Sequence, residues 1–258
     1  MNPTLFRAVA KRLTLIAVLA LPAIAAHADS APDTDFGIWY KATAEKKINS
    51  RLSVSGEAEL RTRDDAGTVG RWNLVAKADY RLTPWLTASG SYTFIRDHHA
   101  PKVSLDADGA EKSIRSSYWG SRHRVVISFT GTVSAGDFRI SLREGWQYTY
   151  RPGKSVPLLD CATDLMGETE AKGNGKNVLR SRLRVQYRPQ GWRFTPYADA
   201  ELYNNWGVEK VYYTAGTGFK IDSHNSLDAY YRFIAYNHSM APTSANSHIL
   251  GLAYKYTF

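Results

Sequence analysis

From Phe36 to the last residue, apolar and polar positions alternate with a period of two, in segments of about ten residues. That is the length a tilted strand needs to cross a membrane. The clearest stretch runs from Arg51 to Arg63. Leu52, Val54, Gly56, Ala58, Leu60 and Thr62 fall on one face, and Arg51, Ser53, Ser55, Glu57, Glu59, Arg61 and Arg63 on the other. Eleven such segments can be read, at about 36–45, 51–63, 70–82, 86–96, 117–130, 137–150, 178–188, 192–204, 210–221, 226–236 and 247–258. No domain boundary interrupts them.

The spacing between segments is uneven. Thr83-Pro84, Gly131 to Gly136, Gln190-Gly191 and Asp222 to Asn225 are tight, whereas 97–116 and 151–177 are long. Short turns on one side and long loops on the other are the mark of an outer-membrane barrel, with the turns periplasmic and the loops outside. Trp85 and Trp192 follow short turns, while Trp72, Trp119, Trp146, Tyr148 and Tyr150 lie toward the other rim, which suits two interfacial aromatic girdles. The last segment places His248, Leu250, Leu252, Tyr254, Tyr256 and Phe258 on one face. It resembles the C-terminal signal by which the barrel assembly machinery takes up outer-membrane proteins. The pattern predicts an all-β chain, a single antiparallel transmembrane β-barrel of about 10 to 12 strands. Bacterial single-chain barrels have an even number of strands, so eleven segments imply one missed or one too many, and twelve is preferred to ten.

Residues 1–28 read as a secretory leader, with Arg7, Lys11 and Arg12 before an apolar stretch from Leu13 to Ala23 and an Ala26-His27-Ala28 cleavage signal. The barrel domain then occupies 29–258, starting at Asp29 after cleavage at Ala28. Loss of three basic residues takes the formal charge from +9 to +6, below what a nucleic-acid binder would carry. Cys161 is the one cysteine and cannot form an internal disulfide. Its stretch, from Arg151 to Lys176, shows neither alternation nor helical periodicity.

If the apolar faces meet lipid, the polar faces line the lumen, and seventeen basic residues there stand against seven acidic ones. Arg61, Arg63, Arg71, Arg122, Arg124, Arg180 and Arg182 fall in the strand halves nearest the long loops, with Arg143 and Arg184 deeper. Guanidinium groups donate paired hydrogen bonds to carboxylates and phosphates, and rings of them select anions. These nine are the candidate solute-binding residues of a passive channel or binding barrel for small anionic solutes. The structural alternative is a closed barrel with an ion-paired lumen. A two-residue turn at Gln190-Gly191 would set Arg182 opposite Asp199 and Arg180 opposite Glu201. The loop 151–177, with Asp160, Asp164, Glu168 and Glu170, could also fold inward and neutralise the mouth.

A second alternative is an outer-membrane hydrolase using Asp97-His98-His99 or Ser121 with His123. Adjacent residues of a strand point to opposite faces, however, and no acid accompanies Ser121 and His123. No CxxC, HExxH, GxSxG or glycine-rich phosphate loop occurs, so the sequence points to no metal, cofactor or catalytic residue. Glu144, on the apolar face between Leu142 and Trp146, implies a β-bulge or an oligomer contact, the bulge being the commoner cause.

Several short motifs extend over nearly the whole mature chain: Asp35-Phe36-Gly37-Ile38-Trp39, Glu57 to Arg61, Arg122-His123-Arg124, Leu179-Arg180-Ser181-Arg182-Leu183, Pro196-Tyr197 with Glu201-Leu202, Leu227-Asp228-Ala229-Tyr230-Tyr231 and His248-Ile249-Leu250-Gly251-Leu252. Together they resemble the DUF2490 family. The resemblance implies an outer-membrane barrel and no particular activity. The expected setting is the bacterial outer membrane, as a monomer among its lipids, with small anions as the solute partner and no nucleic acid.

Overall fold

The computed structural model describes residues 34–258; the leader and its cleavage site lie outside the described residues. Fifteen strands follow in order: β1 (Asp35–Lys47), β2 (Leu52–Arg63), β3 (Thr68–Arg81), β4 (Leu86–His99), β5 (Lys102–Leu105), β6 (Glu111–Arg115), β7 (Tyr118–Ala135), β8 (Phe138–Arg151), β9 (Lys154–Asp160), β10 (Leu165–Ala171), β11 (Asn174–Tyr187), β12 (Phe194–Asn204), β13 (Val208–Lys220), β14 (Asn225–Tyr236) and β15 (Ser247–Thr257). Eleven of them close a barrel in the order β1-β15-β14-β13-β12-β11-β8-β7-β4-β3-β2.

The barrel is inside out. Leu74, Ile127, Phe129, Leu179 and Leu183 are about half exposed on its outer wall, whereas Asn73, Thr93, Asp97, Gln147, Asp199 and Glu201 are buried within. An apolar belt of this extent around a polar interior matches hydrocarbon outside and hydrated side chains inside.

Each of the eleven sequence segments is one barrel strand, and the count is eleven rather than twelve. Parity is resolved at the seam. β1 and β15 pair in parallel from Asp35↔Ser247 to Glu45↔Thr257, while all other neighbours in the barrel are antiparallel. An odd number of strands cannot alternate direction all the way round, so one parallel pair is the geometric consequence of closure. β1 therefore starts at the rim of the long loops.

Those loops are not irregular. β5, β6, β9 and β10 form a second sheet in the order β10-β9-β6-β5, joined by Ser113↔Asp160, Ile114↔Leu159 and Arg115↔Leu158. The stretch from Arg151 to Lys176, which looked aperiodic, thus holds a hairpin with Cys161 in its turn. Its sequence signal is weak because the strands are short and most of their side chains are exposed, with Val156 alone fully buried in the sheet. None of Asp160, Asp164, Glu168 and Glu170 forms an ion pair among the described residues; Asp160 accepts hydrogen bonds from the amides of Ala162 and Thr163, and Glu168 from the Ser155 hydroxyl.

Two register expectations change. Glu144 needs no bulge: β8 pairs continuously with β7 and β11, and the exposed carboxylate accepts a 2.6 Å hydrogen bond from Ser181 on the outer wall. A bulge lies instead between Arg61 and Thr62, opposite Gly70. It turns Arg63 out of the lumen. A Cβ on Gly70 would stand 2.8 Å from Arg63 Cδ, so glycine is what lets that side chain cross β3 and reach His98 Nδ1 at 3.0 Å.

The parallel seam is open to a direct check. With Cys161 replaced by Ser, cysteines at the paired outward positions Ala42 and Tyr254 should join through a short bifunctional thiol reagent, giving a mobility shift. A pair at Ala42 and Leu250, four residues from Tyr254 along β15, should cross-link much less. In the Cys161 protein, a membrane-impermeant maleimide should label intact cells, as the β9–β10 turn lies on the long-loop side.

Candidate functional site

Alternation carries the inward residues to the lumen, where the outer half encloses a cavity of about 460 Å³ lined by twelve basic residues and only three acidic ones, Glu57, Glu201 and Glu209. Arg61, Arg71, Arg122, Arg124, Arg143, Arg180 and Arg182 of the expected set meet there. Arg184 lines a second space of about 650 Å³ nearer the short turns, which shares Lys41, Arg182 and Arg232 with the first. Arg63 is excluded by the bulge.

Burying a guanidinium without a counter-charge is costly, and most of these groups are paired. Glu59 pairs with Arg61 and also accepts from Asn73 Nδ2 at 3.0 Å. Arg71 hydrogen-bonds Asp97, whose other oxygen lies 2.7 Å from Arg122 Nε, an ionic contact off the hydrogen-bond direction. Glu201 serves Arg143 and, at 2.8 Å, Arg180, which also donates to Gln147 Oε1 at 3.1 Å. Arg184 reaches Asp199 at 2.5 Å.

The expected register is shifted by two residues, and the contact between Arg180 and Glu201 runs diagonally across the pair. Arg180 does bind Glu201, but Asp199 belongs to Arg184 and not to Arg182. The turn between β11 and β12 spans 188–193 rather than two residues, so Arg182 faces Glu201 and Arg184 faces Asp199. With Glu201 held from both sides by Arg143 and Arg180, Arg182 has no ion pair, and its Nε is buried without a hydrogen-bond partner among the described residues. Among the described residues Arg124 has only the Thr149 hydroxyl, at 3.3 Å.

Aromatic rings complete the interior. Arg61 stacks 3.6 Å above the Trp39 ring, Arg180 lies 4.7 Å from Tyr203, and Lys210 lies about 5 Å from Tyr203, Tyr212 and Tyr236. Each contact of this kind contributes about 0.5–2 kcal/mol and holds a cation in place without cancelling its charge. Trp39, Tyr203 and Tyr212 also pack with Val178, Ile234 and Ile249 into a buried cluster. On the same inner face of β14, Tyr230 lies so close to β15 that a Cβ at Gly251 would come within 1.9 Å of its ring. At the short-turn rim, Asp222 accepts hydrogen bonds from Asn225 Nδ2 and from the amides of His224 and Asn225, which hold its carboxyl below the usual range.

Sequence reasoning missed Arg151, Lys176, Lys210, Trp39 and Asp97 as parts of the site. Trp39, Lys176 and Lys210 were legible, because they share the inward parity of Lys41, Arg180 and Tyr212. The pattern along the chain puts Asp97 at the start of a loop, but β4 and β8 run past their apparent ends, carrying Asp97 and Arg151 inside. The histidines are not gathered into a hydrolytic site. His99 stacks on Tyr118, His98 points outward to Arg63, His123 Nδ1 bonds the Tyr92 hydroxyl at 2.7 Å, and Ser121 accepts from Arg96 at 3.0 Å.

A family model described as a protein of unknown function, DUF2490, matches residues 36–243. Among solved structures, the β-domain of the Bordetella autotransporter BrkA is similar with a TM-score of 0.54 and 15% identity, over 88% of this chain and all of that one. The translocator domain of the autotransporter NalP from Neisseria meningitidis gives 0.46 at 10% identity, covering 74% and 71% of the two chains. The CymD monoaromatic hydrocarbon channel gives 0.40 at 10%, covering 75% and 67%. No curated protein matches the chain. The BrkA likeness is one of fold.

Asp97 is the test of the ion-pair frame. Asp97→Asn leaves two arginines without a counter-charge and should lower unfolding stability by about 3 kcal/mol, read by urea titration of tryptophan fluorescence in lipid vesicles. Asp108→Asn, in the exposed β5–β6 turn, should stay within about 0.5 kcal/mol of the parent.

Proposed function

The chain belongs to the DUF2490 family, and from that premise we propose that it is a barrel of the bacterial outer membrane that binds small anionic solutes in its lumen and passes them inward. The carrying observation is that five of the twelve basic residues lining the outer cavity, Arg124, Arg151, Arg182, Lys210 and Arg232, have no carboxylate partner among the described residues; Lys210 and Arg232 lie against aromatic rings and Arg151 donates to the Lys172 carbonyl, which leaves Arg124 and Arg182 the least compensated. Two uncompensated guanidinium groups in a confined space require either hydration or a visiting anion. The outer cavity has room for about fifteen waters at about 30 Å³ each, or for a small carboxylate or phosphate with its remaining shell. The paired arginines supply the fixed frame, and the unpaired ones supply donors in the planar fork that such oxyanions accept. Surplus positive charge in a narrow, low-dielectric mouth also raises the local anion concentration. Assembly would proceed through the C-terminal strand, whose Tyr254, Tyr256 and Phe258 face outward as the insertion signal requires.

A closed structural barrel is the second reading, favoured by the buried cluster around Trp39 and Tyr212, which occupies part of the lumen. Planar-bilayer recording under a salt gradient separates the two. The proposed function expects open current with a reversal potential on the anion side, and Arg124→Ser with Arg182→Ser should move that potential toward zero. Each substitution should weaken a bound dianion about tenfold, the equivalent of about 1.4 kcal/mol. A silent bilayer together with no saturable anion binding would establish the closed barrel instead.

A further inference from the structure

The outer wall carries charge where the belt should be apolar. Arg96 projects from β4 between Trp72 of β3 and Ser121 of β7. With Trp72, Phe94 and Trp119 it lines a groove of about 390 Å³. Arg96 Nη1 donates to the Ser121 hydroxyl at 3.0 Å, and the guanidinium has no carboxylate within ion-pairing distance among the described residues. Four of its five N–H donors are left for a ligand. Toward the rim, the bulge at Arg61 and Thr62 sets Arg63 on the same wall, bonded to His98, with Asp64 3.4 Å from its Nε as the single acidic neighbour. His98 packs on Trp119 with ring centroids 5.3 Å apart, and Trp72 meets Phe94 edge-on at 5.8 Å. Below the groove the wall is Leu74, Val125 and Ile127.

An arginine facing lipid costs about 2–4 kcal/mol at the midplane and about 0–1 near the interface. Arg96 lies three residues from the end of β4, about 8 Å below the rim along a tilted strand, which places it at the level of lipid headgroups. Positive charge above, aromatic walls beside it and an aliphatic face beneath match an amphiphile with an anionic head and acyl chains. We propose that this groove on β3, β4 and β7 binds a phosphorylated glycolipid of the outer leaflet, with Arg96 and Arg63 on its phosphate and an acyl chain along Leu74, Phe94 and Ile127. The inference depends on the barrel standing in the membrane with its long loops outward, and not on what the lumen carries.

The test uses the full mature protein in detergent micelles, with native mass spectrometry counting bound bisphosphorylated lipid A and its dephosphorylated counterpart. The parent should bind the phosphorylated form at least about tenfold more tightly, the worth of about one charge-assisted hydrogen bond. Arg96→Gln with Arg63→Gln should abolish that preference, Arg96→Lys should keep part of it, and the lumen variant Arg124→Ser should leave it unchanged. Retention of the folded, heat-modifiable band on gels shows that each variant is intact. Equal binding of the two lipids by the parent, or an undiminished phosphate preference in the folded double variant, overturns the proposal. Loss of the preference in Arg124→Ser would do so as well, by moving the phosphate contact into the lumen.

Discussion

A sheet in hydrocarbon may have no edge. Each unpaired N–H or C=O there costs several kcal/mol, so eleven strands can cross only if the first and last find each other. The β1–β15 ladder meets that condition, and the rest of the architecture depends on it. It fixes the odd count, brings the start of β1 to the outer rim, and sets Trp39 and Lys41 of β1 opposite the arginines of the far wall. Trp39 beneath Arg61 is then both a seam residue and part of the interior cluster.

Closure at this size leaves an interior too wide for side chains to fill completely and too narrow for a large aqueous channel. The solution is a set of ion pairs spread over β2 to β4, β7, β8, β11 and β12, with aromatic rings between some of the cations. Carboxylates are fewer than guanidiniums, and each is shared or committed: Asp97 to Arg71 and Arg122, Glu201 to Arg143 and Arg180, Asp199 to Arg184. This division leaves Arg124 and Arg182, with Arg151, Lys210 and Arg232, without a carboxylate among the described residues, and it gives the outer cavity its chemical character.

The outer wall follows a different rule. Its polar groups satisfy one another in short pairs, Glu144 with Ser181, Tyr92 with His123, Tyr231 with His248 and Trp146 with Asn177. Arg96 stands apart, because a single serine hydroxyl cannot satisfy a guanidinium. The same bulge that removes Arg63 from the lumen adds it to this wall, so one irregularity alters both surfaces.

The sequence by itself determined the fold class, the position of each barrel strand, though not the odd count, and the gathering of short turns at one end and long loops at the other. A period of two states which residues share a face, and Arg61, Arg71, Arg122, Arg124, Arg143, Arg180, Arg182 and Arg184 line the two inner cavities. Only the tertiary structure decided the parallel seam, the outward turn of Arg63, the pairing of Asp199 with Arg184 in place of Arg182, and the sheet built from β5, β6, β9 and β10. These depend on register and closure. Periodicity states which face a residue occupies but not which residue lies opposite it, and one inserted residue at Gly70 or a longer turn at 188–193 changes the pairing while leaving the pattern along each strand intact.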